Sequence, residues 1–137
     1  MCLTRRPRRR VLGAAQVALA RGFSFKGPSA VALHTTDGGR KWVATDLPST
    51  VGKILNAVAC PTTSTCEAIG DTPGGEGASP IFASTVVVFR TSDGGASWGS
   101  QTVPPGLTAL SSIACPSPSM CEAVGYRQGG AAIIRLR

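Results

Sequence analysis

The groups in this 137-residue chain that could do chemistry are a few carboxylates, five thiols, one imidazole and one phenol. Asp37, Asp93, Glu67 and Glu122 could act as acids, bases or metal ligands. Cys60, Cys66, Cys115 and Cys121 could hold zinc, run dithiol redox chemistry or close disulfides. His34 is the single histidine and Tyr126 the single tyrosine. Their spacing narrows the choice: Asp93 follows Asp37 by 56 positions, while Cys115, Cys121 and Glu122 each follow Cys60, Cys66 and Glu67 by 55. A catalytic set is rarely duplicated residue for residue, so this near-common period points to a tandem structural repeat the size of one propeller blade.

The elements that must position these residues follow from local pattern. Thr35-Thr36-Asp37-Gly38-Gly39-Arg40-Lys41-Trp42 and Thr91-Ser92-Asp93-Gly94-Gly95-Ala96-Ser97-Trp98 each lie between strand-like runs. Asp-Gly-Gly between strands is a hairpin turn, because the glycines accept positive φ and the Asp carboxylate can accept backbone N–H bonds. Trp42 and Trp98 open the outgoing strands, where an indole can cover the turn and pack on a neighbouring sheet. The same pattern predicts strands over 30–34, 42–46, 54–59, 67–70, 86–90, 98–103, 110–115, 122–127 and 131–136. Residues 23–28 read as a loop. Pro-containing crossings at 47–52 and 103–107 join successive repeats, and residues 71–80 form a long loop where a repeat-specific contact would sit.

The two turns resemble the Asp-box (BNR) repeat, Ser/Thr-x-Asp-x-Gly-x-Thr/Ser-Trp. Thr91, Asp93, Gly95, Ser97 and Trp98 match in full; Thr35, Asp37, Gly39 and Trp42 match, with Lys41 in place of the hydroxyl residue, so the first turn is expected to lack one side-chain hydrogen bond. The resemblance implies an all-β fold of antiparallel four-stranded propeller blades, with the motif joining third and fourth strands as a structural device. On that reading residues 21–137 hold a half blade (29–46), a full blade (51–103) and a partial blade (107–137). The abrupt end favours a piece of a longer propeller; the alternative is self-association of copies into a ring. Further blades then come from a longer chain or from other protomers.

Each Cys-x5-Cys loop contains proline and stands between two strands, which suggests disulfides Cys60–Cys66 and Cys115–Cys121 stapling a hairpin. Zinc and dithiol chemistry stay as alternatives, but no His neighbours the pairs and the spacing is not Cys-x-x-Cys. His34 falls where the next repeats carry Arg90 and Arg135, and it reads as a solvated side chain at a strand end rather than a ligand.

The net charge is +7, but Arg5, Arg6, Arg8, Arg9 and Arg10 supply five of it. The rest carries nine basic against seven acidic side chains, so neither a basic face nor a nucleic-acid platform is indicated. Residues 1–20 combine the basic run with a short apolar stretch ending Ala18-Leu19-Ala20, the form of a secretory signal. The stretch is too short to span a bilayer. A second reading makes Val17-Ala18-Leu19-Ala20 the remnant of a blade strand, and a third makes the arginines a nucleic-acid-binding arm. Signal and disulfides together imply a secreted or cell-envelope protein.

The Asp-box family includes sialidases. Their chemistry needs a nucleophile with its base, a separate acid and an arginine cluster, whereas Glu67 and Glu122 are repeat-equivalent and Arg90 runs directly into an Asp box. The sequence therefore reads as a non-catalytic, exported module without cofactor or metal. A protein or glycan partner would be held on its rim loops, with a fragment of a sialidase-like hydrolase as the alternative.

Overall fold

A computed structural model of the chain describes residues 16–24, 27–47, 54–71 and 86–137, with side-chain surroundings from residue 31 onward. The basic run, Cys2, part of the crossing at 47–52 and all but the first residue of the loop at 71–80 lie outside the described residues. Every element within them is a β-strand, and all pairing is antiparallel.

The strands make three sheets taken in chain order. The first contains β1 (Gln16–Ser24), β2 (Gly27–Thr35) and β3 (Val43–Asp46). The second contains β4 (Ile54–Ala59), β5 (Cys66–Asp71), β6 (Val87–Thr91) and β7 (Gly99–Gln101). The third contains β8 (Leu107–Ser117), β9 (Met120–Arg127) and β10 (Gly130–Leu136). Within each, strands are hydrogen-bonded in sequence order, so that consecutive strands are neighbours. All nine strands expected from the sequence are present, with boundaries shifted by a few residues.

One expectation changes. Residues 23–28 are not one open loop: Phe23 pairs with Pro28 and Ser24 with Gly27 at the end of the β1–β2 ladder. Pro28 lies near the start of its strand, where a missing N–H is tolerated. Residues 17–20 lie in β1 opposite residues 31–34.

The second sheet is packed on both faces. On one side Leu55, Cys66, Ala68, Phe89 and Trp98 meet Ala32 of the first sheet and Leu47. On the other, Ile69, Val86 and Val88 meet Leu110, Cys121, Ala123, Ile134 and Leu136. Side chains alternate along a strand, so β5 sends Cys66 and Ala68 one way and Glu67 and Ile69 the other; residues 66–70 are all buried. Phe89 and Ile69 are the largest side chains of this double core to be fully buried.

One irregularity recurs. The β4–β5 ladder skips Asn56 between Leu55 and Ala57, and the β8–β9 ladder skips Ser111 between Leu110 and Ser112. Gly70 and Gly125 lie opposite these bulges, and a Cβ on either would overlap the carbonyl oxygen of Ile54 or Ala109. Glycine here permits close approach of two backbones rather than an unusual φ.

Candidate functional site

The residues singled out by the sequence gather at the β6–β7 and β2–β3 turns and at the β4–β5 and β8–β9 hairpins. In the second sheet the turn and the hairpin loop share one end: the Gly94 N–H donates to the Ser64 carbonyl at 2.8 Å. That loop is fixed from within, since Thr62 Oγ1 accepts from the Thr65 N–H at 2.9 Å and the Ser64 N–H at 3.3 Å. Disulfides Cys60–Cys66 and Cys115–Cys121 close the two hairpins with Cα separations of 4.0 and 3.9 Å. With both sulfurs of each pair in a disulfide, no thiolate is left on these cysteines to hold zinc in this structure.

The two Asp turns are built alike. Thr91 Oγ1 donates to Asp93 Oδ1 at 2.7 Å and accepts from the Gly95 N–H at 2.9 Å. Thr35 Oγ1 does the same with Asp37 and the Gly39 N–H, at 2.8 and 3.0 Å. Asp93 Oδ1 also accepts from the Ser97 N–H at 2.9 Å, and Asp37 Oδ1 from those of Arg40 and Lys41 at 3.0 and 2.9 Å. The paired glycines have φ of 73° and 94° in one turn and 73° and 98° in the other, values that only glycine adopts without strain.

The turns differ where the sequence differs. Ser97 Oγ donates to Asp93 Oδ2, a bond that Lys41 cannot make. Trp98 Nε1 donates to the Gly95 carbonyl at 3.2 Å and its ring is buried, whereas Trp42 lies over Gly39 and is 40% exposed. The bond from the Ser97 hydroxyl, then those from its N–H and from Thr91, pull the Asp93 carboxyl down to about 2. Asp37 is also held below the usual carboxylate range, chiefly by the Lys41 N–H and then by Thr35.

Sequence reading did not foresee the ion pairs. Arg90 Nη1 lies 3.0 Å from buried Glu67 Oε1, and Arg135 Nε lies 3.1 Å from the more exposed Glu122 Oε1. Burial pushes the Glu67 carboxyl up, against the attraction of Arg90, and its Oε2 has no hydrogen-bond partner among the described residues. The signal was present in the repeat, since both Glu and both Arg recur at matching positions. His34 occupies the Arg position of the first sheet, with Val17 across the ladder in place of a carboxylate. It is half-buried rather than solvated, and its Nδ1 has no partner among the described residues.

At the far end of the sheets from the disulfide loops, Asn56 Nδ2 donates to Asp71 Oδ2 at 2.9 Å and to the Leu110 carbonyl at 2.8 Å, tying the second sheet to the third. Ser111 and Tyr126 stand at the corresponding places one repeat later, so this contact is not duplicated. Nearby, Pro104, Pro105, Leu107, Arg127 and Ile134 line a shallow groove of about 300 Å³. Among the described residues no three His, Cys, Asp or Glu side chains cluster as a metal site would require. No helix among them is long and apolar enough to cross a membrane.

Compared with protein-family models, curated proteins and solved structures, the chain matches none.

Proposed function

We propose that this chain is a non-catalytic, exported repeat module of the Asp-box propeller kind, each sheet a blade, that holds a protein or glycan partner on its rim loops. The observation carrying this reading is that the Asp37 and Asp93 carboxylates are engaged within their own turns. Acceptors committed to Thr35, Arg40 and Lys41, or to Thr91 and Ser97, serve the turn rather than a substrate. Repetition of turn, bulge, disulfide and ion pair supports a scaffold that differs from repeat to repeat mainly at the end where Asn56 and Asp71 lie, and residues 72–85 follow Asp71 in the sequence. The disulfides agree with a secreted or cell-envelope location.

The test is a glycan array and an extracellular-protein binding screen on the oxidised chain, with hydrolysis of a fluorogenic sialoside measured in parallel. Binding is expected to survive Asp93→Asn at a temperature where that variant is folded, and to fall at least tenfold when residues 72–85 are replaced by a Gly-Ser linker, with hydrolysis at the buffer rate. Turnover that disappears in Tyr126→Phe or Glu122→Gln would overturn the reading and favour the hydrolase alternative.

A further inference from the structure

The sheets of this molecule meet through one kind of contact, used twice. The Ala32 face of the first sheet packs on Leu55, Cys66, Ala68 and Phe89 of the second. The Val88 face of the second then packs on Leu110, Cys121, Ala123 and Ile134 of the third. By the repeat offsets Ala32 corresponds to Val88, and the four residues it meets correspond in order to the four that Val88 meets.

Among the described residues, each of the two faces in that contact has one representative that no other sheet covers. On the third sheet Ile133 corresponds to Val88 and is 71% exposed, while Val124 corresponds to the fully buried Ile69 and is 42% exposed. Tyr126 extends this strip at 59% exposure. On the first sheet the face opposite Ala32 carries Leu33, paired with exposed Ala44, and Trp42, the counterpart of buried Trp98. Four of the five large apolar side chains exposed among the described residues therefore belong to these two faces. The fifth, Val43, lies on the opposite side of β3, paired with His34.

We propose that the two faces bind each other between copies of this chain, head to tail, the Trp42 face of one copy covering the Ile133 face of the next. Continuity with the internal contact selects this occupant: a second copy offers the face type that already packs twice within one molecule. The contact would also cover the Glu122–Arg135 pair, as Glu67–Arg90 is covered by the third sheet. Such a heterologous contact closes into a ring when its rotation permits and otherwise extends. The proposal rests on the repeat reading above, but its test uses no ligand, so its failure leaves the binding result standing.

The experiment is light scattering of the oxidised full chain from micromolar to submillimolar concentration, with circular dichroism to verify folding. Wild type is expected to exceed the 14.0 kDa of one chain. Ile133→Asp and Trp42→Arg should each be monomeric alone, and an equimolar mixture should give a 1:1 pair, because each variant keeps one intact face. Ala44→Arg replaces Trp42→Arg if the latter disturbs its turn, and Val43→Asp should associate as wild type does. A monomeric wild type at every concentration would overturn the proposal and leave these faces to further repeats of a longer chain. Association lost in Ile133→Asp but intact in both Trp42→Arg and Ala44→Arg would overturn it too, in favour of a symmetric contact of third sheets.

Discussion

Asp93 and Glu67 respond to protons in opposite directions, although both are held by neighbouring side chains. The Asp93 pKa is depressed from 3.8 to about 2, so its contribution to stability is complete above 3.8 and is lost as the pH falls toward 2. The Glu67 pKa is raised above 4.5 by burial, so the folded state binds its proton more tightly and stability rises as the pH falls toward 4.5. Denaturant titrations from neutral to strongly acidic pH should therefore show a maximum in mild acid. Glu67→Gln is expected to flatten the rise on the neutral side, and Asp93→Asn to reduce the loss on the acid side while lowering the plateau. The Asp93 half of this behaviour was legible in the motif, because its partners lie within four residues. The Glu67 half was not, since its Arg lies 23 positions away across a ladder and its burial depends on the third sheet.

At the scale of elements, recurring letters marked what matters without stating why. Gly70 and Gly125 stand at matching positions 55 residues apart, and the reason is the bulge at Asn56 and Ser111, which brings the facing strand too close for a Cβ. Gly70→Ala or Gly125→Ala should each destabilise by about 1–3 kcal/mol in equilibrium unfolding, as overpacking does. Gly99→Ala, where an added methyl meets open space, should change stability by only a few tenths of that. The hairpin staples were legible from Cys-x5-Cys spacing between strands, and each closes a loop worth about 2 kcal/mol in lost chain entropy. Strand β1 was the harder element, because its apolar residues follow a basic run and such a composition also fits a signal sequence.

For the whole molecule, the order of the sheets followed from the tandem repeat, while the identity of the inter-sheet contacts did not. Alternation gives two faces per strand but not which face meets which neighbour. The double packing of β5 was hidden further by its composition, since Cys66-Glu67-Ala68-Ile69-Gly70 places a carboxylate in a strand buried throughout. The same double packing means that neither hydrophobic cluster can come apart without disturbing the other. Amide protons of β5 should accordingly be the last to exchange with deuterated solvent, with opening free energies close to that of global unfolding. Those at the ends of the first and third sheets should exchange earlier. Thermal unfolding should then be a single cooperative transition, with Ala68→Gly loosening both outer sheets together although its side chain touches only one core.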